Sequence, residues 1–531
     1  MNSLLIITPI VLPLLVAALQ LLMGEKSRRA VTVLSIASCV TLVAIAAALL
    51  MSVSGEGALS AVYRIGDWPA RFGIVLVADR LSALMVLLSS VLALAVLPAA
   101  LARWQHRGGH VQPLLQFLLT GLHGAFLTGD LFNLFVFFEV LLAASYGLAL
   151  HGSGARRVSA GLHYIAVNLT ASMLFLLGVS LIFGVTGTLN MAALAELIPT
   201  LPEHTRALLH AGAAILGVAF LIKTAMWPLG FWLPRTYAAA SPAVAAMFAL
   251  MTKVGIYVLL RLGLLFFGDG AGPSSHFGSV WMLWGGVATV LAGTIGMLGA
   301  RDLAKLAGYN VVVSSGTLLG AISLHVPAVT TGALAYLVIS TLAVAALFLL
   351  AGVFVPEGED EADDTLQLEP YEQVGHTSMV EDLYAHEDES RVVVTPPVAM
   401  LGLGFLACAL LLAGLPPLSG FPAKLAMLAP MPGAAANSGT MVLFAVIISA
   451  GLCTVIAMAR AGIHVFWADP ERTFPRVRAG ETLSILILLG LCVLLSVWVG
   501  APLHYLDAAA RQLHAPAAYV EQVLPATEIQ P

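Results

Sequence analysis

The chain has 531 residues, 60% of them hydrophobic and only 10% charged, with a formal net charge of −5. A soluble domain is about a quarter charged, so water is excluded as the solvent for most of this surface. Runs of about 20 apolar residues, the length a helix needs to cross about 30 Å of hydrocarbon, recur throughout and predict an all-α polytopic membrane protein.

The first run, MNSLLIITPIVLPLLVAALQLLMGEKSRR, has its basic cluster (Lys26, Arg28, Arg29) after the apolar stretch rather than before it. That order argues against a cleaved signal peptide and for a retained first span with its N-terminus outside. Further apolar segments fall near 30–52, 77–101, 112–129, 131–150, 161–184, 207–226, 241–262, 277–300, 304–323, 328–354, 396–429, 440–460 and 481–503, so that about fourteen spans are expected. These runs are continuous and lack the period-2 alternation of lipid-facing strands, which excludes a β-barrel. With the 1–2 connection on the cytoplasmic side, fifteen of the 24 basic residues fall in cytoplasmic connections and six, Arg261 among them, on the outer side. This is the bias of the positive-inside rule, and it sets both termini in the periplasm. Residues 356–395, between spans 11 and 12, carry thirteen acidic residues and one Arg. Such a block reads as a solvated cytoplasmic loop, dispensable for transport, or as a docking segment for a basic partner.

Three lysines remain, Lys223, Lys253 and Lys424, and with Glu139 they lie inside apolar spans. An ionisable group at that depth costs at least about 2.5–3.5 kcal/mol and marks an ion path by default. Glu139 sits near the middle of LFNLFVFFEVLLAASYGLAL; the bland alternative is a neutral carboxyl hydrogen-bonded between helices. Lys223 precedes Pro228, Gly230 and Pro234, whereas Lys424 follows Pro416, Pro417, Gly420 and Pro422. Proline inside a span interrupts the backbone ladder, so two broken spans are expected, about 200 residues apart. A matched pair of broken helices is the mark of repeated halves with sites at their breaks. Lys253 lies mid-span, too deep to snorkel. Burial lowers a lysine's hold on its proton and raises a carboxyl's, so such groups can exchange protons and form a relay.

Other positions are weaker. His123 is either a satisfied inter-helix histidine or a proton-entry group, and His325 falls in a short outer link where a solvated role is expected. The four cysteines (Cys39, Cys408, Cys453, Cys492) stand alone in apolar stretches, without the spacing of a metal site. No P-loop, dinucleotide fingerprint, zinc-protease or hydrolase motif stands in a credible setting. The expectation is a transporter subunit rather than an enzyme, with no cofactor, no metal and no nucleic-acid partner.

The segments TGDLFNLFVFFEVLLAASYGLALHG and GLHYIAVNLTASMLFLLGVSLIFGVTGTLNMA resemble the D subunit of the multisubunit Na+/H+ antiporters of the Mrp or Pha type. KTAMWPLGFWLPRTYAAASPAVAAMFALMTKVGIYVLLR resembles the wider signature shared with the antiporter-like membrane subunits of respiratory complex I, and AGLPPLSGFPAK favours the D-type chain again, because a glutamate usually stands at the place of Lys424 in the complex I subunit of this size. The resemblance covers nearly the whole chain. It implies fourteen spans, with two inverted five-span repeats (spans 4–8 and 9–13) and discontinuous spans 7 and 12. The corresponding divisions are 1–111 (spans 1–3), 112–262 (first repeat), 277–460 (second repeat, with the acidic loop) and 461–531 (span 14 and tail). It further implies a bacterial inner-membrane location, partner subunits of the A/B, C, E, F and G type, and transport of protons against Na+ or K+. Its proton-path residues fall on Glu139, Lys223, Lys253 and Lys424, with Glu139 and Lys223 expected to form an ion pair.

The chain departs from the family at span 11. Where a His or Lys is common, in a pattern like HxxxxKxALFLLAG, it reads YLVISTLAVAALFLLAG, with Ile339, Ser340 and Val344 at those places. Water held by Ser340, Thr341 or Ser314 is expected to bridge Lys253 and Lys424 instead. Two rival functions stay open at this stage: a pump subunit of a redox-driven complex, and a scaffold that conducts nothing.

Overall fold

The computed structural model describes residues 4–24, 27–55, 61–70, 73–104, 110–152, 154–354, 396–434, 437–466 and 477–524. The acidic segment 356–395 lies outside them. The first half contains α1 (Leu4–Met23), α2 (Arg28–Ser54), α3 (Arg80–Ala99), α4 (Val111–Leu127), α5 (Leu131–Ala149), α6 (Ala155–Thr186), α7 (Met191–Leu197), α8 (Glu203–Lys223), α9 (Trp232–Ala239) and α10 (Pro242–Phe267). The second contains α11 (Ser279–Gly299), α12 (Leu303–Ile322), α13 (Pro327–Val353), α14 (Pro396–Ala413), α15 (Gly420–Leu428), α16 (Met431–Ala434), α17 (Ser438–Phe466), α18 (Ala479–Val497), α19 (Gly500–His514) and α20 (Pro516–Val523).

Hydrocarbon offers no partner for a backbone N–H or C=O, so apolar runs fold into helices that satisfy these groups internally. Eleven of the described helices are long and apolar enough to cross a membrane. The three other expected spans coincide with α4, α12 and the α14–α15 pair. Short polar side chains set several starts: the Asp130 carboxylate accepts from the Phe132 and Asn133 amides at 2.8 and 2.9 Å, and Asp302 accepts from the Ala304 amide at 2.9 Å. Each satisfies donors that a helix N-terminus leaves free.

Both expected breaks are present. Residues 224–231 separate α8 from α9, and residues 414–419 separate α14 from α15. Each loop bonds back to the helix before it, Met226 N–H to the Leu221 carbonyl and Leu415 N–H to that of Leu410, both at 3.0 Å, and a glycine lets the chain pack closely at each break. A Cβ at Gly230 would stand 2.1 Å from the Ala225 carbonyl oxygen, and one at Gly420 the same distance from that of Leu411.

α10 and α13 are the inner helices. Each is 94% buried across its apolar window, whereas α1, α2, α6 and α8 present most of their surface outward. α10 contacts α3, α8, α12 and α13, and α13 contacts α12, α14, α15, α18 and α19. Three features go beyond the sequence expectations. One is an antiparallel hairpin between α2 and α3, β1 (Ala61–Arg64) with β2 (Val75–Ala78), paired Ala61 to Ala78. Another is the helical tail, in which α19 packs on α13 and α20 on α7. The third is the depth of Arg261: α10 runs on to Phe267, so Arg261 is a buried residue of the helix and not part of an outer connection.

Candidate functional site: charges carried inside the bundle

Lys223 is the last residue of α8, where the break forces the chain away from the helix axis. Among the described residues its ammonium has no hydrogen-bond partner, and it lies 5.1 Å from the centre of the Phe138 ring. Phe138, Phe175 and Phe220 form an aromatic group there, with centroids 5.0–6.0 Å apart. A ring face attracts a cation but takes no proton from it. Glu139 is half-buried on α5, and its Oε1 is a buried atom without a partner among the described residues. The direct ion pair expected between Glu139 and Lys223 is therefore not made. The neighbouring residue Phe138 holds the ammonium instead, while the carboxylate still acts on it electrostatically. Buried polar atoms are nearly always hydrogen-bonded, so these two buried atoms without a partner among the described residues mark a place where occupancy can change.

Lys253 is 1% exposed in the middle of α10. Its ammonium donates to the Ser314 hydroxyl of α12, its only hydrogen-bond partner among the described residues. No carboxylate among them neutralises it, and a buried charge without an ionic partner is costly. Lys424 follows the second break. Its ammonium donates to the carbonyls of Leu412 and Ala413, both at 2.9 Å, and lies 5.8 Å from the Tyr336 ring. These are carbonyls that the end of α14 leaves unsatisfied, at the negative pole of the helix dipole.

The weaker positions separate. His123 is fully buried, with Nδ1 2.7 Å from the Pro9 carbonyl oxygen and Nε2 3.0 Å from the Ser89 hydroxyl. Both ring nitrogens are occupied within α1, α3 and α4, which fits the satisfied inter-helix histidine. His325 is half-buried, not freely solvated. Its Nδ1 is 3.0 Å from the Ser323 carbonyl oxygen, and its ring stands edge-on to His276, which pairs with Asp269 at 3.1 Å. Burial, the largest influence, pushes the His325 imidazole below its ordinary value. On α13, Ser340 and Thr341 both turn their hydroxyls to the Leu337 carbonyl, at 3.3 and 2.7 Å.

One buried charge network lies outside the sequence expectations. Asp79 caps α3, accepting from the Ser82 amide at 2.8 Å, and pairs with Arg261 of α10 at 2.7 Å. The Arg261 Nε donates to the Tyr257 hydroxyl at 2.9 Å, which donates to the Phe126 carbonyl at 2.6 Å. Asp79 follows a stretch rich in turn residues, and Arg261 lies at the edge of its apolar run. Neither position alone looks buried. Their opposite charge at two predicted span ends is the only available signal.

A bundle of apolar helices, two of its spans broken, with lysines, a glutamate and an aspartate–arginine pair held inside it, defines a polytopic membrane protein that keeps ionisable groups in its own interior. The chain belongs to the family described as NADH:quinone oxidoreductase/Mrp antiporter, TM, which it matches over residues 128–452. It is 50% identical over 532 aligned residues to the probable D subunit of a K(+)/H(+) antiporter from Rhizobium meliloti, covering 98% of each chain. It is 34% identical to the D subunit of the Na(+)/H(+) antiporter of Bacillus subtilis, covering 98% of this chain and 99% of the relative. Among solved structures, a chain of the Mrp complex from Dietzia sp. superposes with a TM-score of 0.80 at 28% identity, over 99% of this chain and 100% of that one. A chain of respiratory complex I from Thermus thermophilus, at 22% identity and a TM-score of 0.73 over 98% of this chain and 99% of that one, shares the fold.

Proposed function

We propose that this chain is the D-type subunit of a multisubunit monovalent cation/proton antiporter in a bacterial inner membrane, and that it relays protons along Glu139, Lys223, Lys253 and Lys424. The observation that carries the relay is Lys253: a lysine buried at the centre of one of the two inner helices, with a hydroxyl and no described carboxylate beside it. A scaffold has no use for that charge. A relay does, because a lysine held by a neutral partner can lose its proton without leaving a counter-ion stranded. The names of the relatives, D subunits of K(+)/H(+) and Na(+)/H(+) antiporters, support the antiporter reading over a redox-driven pump, for which the likeness to complex I offers fold alone.

On this reading the partners are the remaining A/B, C, E, F and G type subunits, and the cargo is protons with Na+ or K+. Two inverted repeats, spans 4–8 and 9–13, are part of the proposal, as are the divisions at 111, 262 and 460 and periplasmic termini. Matching contacts support the repeats: α4 on α5, and α6 on both α8 and α9, in the first; α11 on α12, and α13 on both α14 and α15, in the second. The test is cation-dependent proton flux in vesicles carrying the whole complex. Lys253→Ala and Glu139→Gln should each abolish exchange while the complex still assembles; undiminished flux in either variant refutes the relay.

A further inference from the structure

The relay has a gap at α13, where the family's His or Lys is replaced by Ile339 and Val344. Neither offers a donor or an acceptor. The hydroxyls of Ser340 and Thr341 are both directed at their own helix, at the Leu337 carbonyl. A different set of hydroxyls lies between the two lysines. Lys253 donates to Ser314 on α12. Thr317 follows Ser314 by three residues, the spacing that sets two side chains on one helix face, and both are 2% exposed. The Thr317 hydroxyl donates to the Val313 carbonyl at 2.9 Å, which leaves its oxygen free to accept, and the Tyr336 phenol, on the adjoining helix, lies near it. Tyr336 belongs to α13, and its ring lies 5.8 Å from the Lys424 ammonium. It precedes Ile339 by three residues, so it shares a face with the place where the titratable group is missing, one turn away.

From this arrangement we propose that the Tyr336 hydroxyl, with Thr317 and Ser314, conducts protons between Lys253 and Lys424 in place of the group absent from α13. The inference rests on the relay reading above. Each hydroxyl both donates and accepts. A proton leaving the Lys253 ammonium joins the Ser314 oxygen as that hydroxyl's own hydrogen moves on; the same exchange at Thr317 and Tyr336 delivers a proton to a neutral Lys424 amine. Only N–H and O–H bonds break and form, and one positive charge moves from the first lysine to the second. The hydroxyls reset by rotation. Water completes the two longer steps, from Ser314 to Thr317 and from Tyr336 to Lys424, with the two or more polar partners that a buried water needs. A phenylalanine at 336 would give Lys424 the same ring face. What tyrosine adds is one O–H on the side of Thr317.

The test uses the assembled complex in vesicles, with cation-dependent proton flux as readout. Tyr336→Phe keeps the ring and removes the hydroxyl, and flux should fall about 10- to 100-fold, the range of a lost proton-transfer group. Adding Ile339→His to Tyr336→Phe should restore it, because a titratable group then stands one turn further along the same face. Thr317→Val is the second variant, should Tyr336→Phe fail to assemble, with the same fall expected. Normal flux in Tyr336→Phe beside an inactive Lys253→Ala overturns this route and leaves the relay standing; normal flux in both overturns the relay itself. A fall that Ile339→His does not repair makes Tyr336 a packing residue and overturns the route as well.

Discussion

The two broken spans are built alike and charged differently. In each, a helix stops, a proline- and glycine-bearing loop folds back on its end, and a short helix of eight or nine residues resumes. In the first, the lysine is the last residue before the break, and its ammonium rests on the Phe138 ring without a hydrogen bond among the described residues. In the second, the lysine comes after the break and reaches back to two carbonyls of the helix it left. The side of the break that carries the lysine decides whether its charge is spoken for. Lys424 completes the end of α14. Lys223 completes nothing, so its proton is the one held by electrostatics alone.

The largest effects should come from the uncommitted charge. Lys223→Ala is expected to lower cation-dependent proton flux about 100-fold or more with the complex assembled; loss of assembly would show the lysine to be structural. The same contrast sharpens in stability. Lys424→Met leaves two carbonyls without their donor and should cost about 1–3 kcal/mol, read as a lower Tm of the purified protein in detergent. Lys223→Met removes no hydrogen bond among the described residues, only the attraction to Glu139 and the Phe138 ring, and should lower Tm less than Lys424→Met does. Equal losses from the two variants would erase the distinction. A smaller and symmetrical effect is expected where the breaks are alike. Gly230→Ala and Gly420→Ala each press a methyl group toward a carbonyl and should cost about 1–3 kcal/mol apiece; a loss confined to one would mean that the loops close differently.

The smallest effect lies away from both breaks, where α19 docks. Burial chiefly, and His325 next, hold the His514 imidazole down at about 4, against an ordinary value of 6.5, with Asp269 acting the other way. Its Nε2 lies 3.1 Å from the Thr330 hydroxyl. Between those values the unfolded chain binds more protons than the folded one, so stability rises with pH there. The docking of α19 should therefore weaken as pH falls from about 6.5 toward 4 and stay level above about 7. His514→Asn should flatten that slope in a Tm-against-pH series.

Much of this is readable in the sequence because lipid imposes so strict a grammar. Apolar length marks the helices, proline clusters mark both breaks, and Glu139, Lys223, Lys253 and Lys424 stand out as charges in the wrong solvent. Side-chain direction is not readable. Nothing in the order of residues says that Lys223 meets Phe138 before Glu139, or that Ser340 and Thr341 turn to their own helix. Tyr336 carries no signal, because an aromatic residue in an apolar span is ordinary. Arg261 reads as a loop residue because helix ends are uncertain by a few positions, and at an interface a few positions separate water from the interior.

The Asp79–Arg261 pair bears on how this chain could be shortened or diversified. It ties α3, at the edge of the N-terminal helices, to the innermost helix of the first half, and both charges are withdrawn from solvent. Losing one partner of a buried pair costs about 3–5 kcal/mol, whereas losing both together is often neutral. Single substitutions at either position are therefore a valley, and the two should change in step. Across a broad set of related sequences, positions 79 and 261 should covary, and a relative without the first three helices should carry a neutral residue at the place of Arg261.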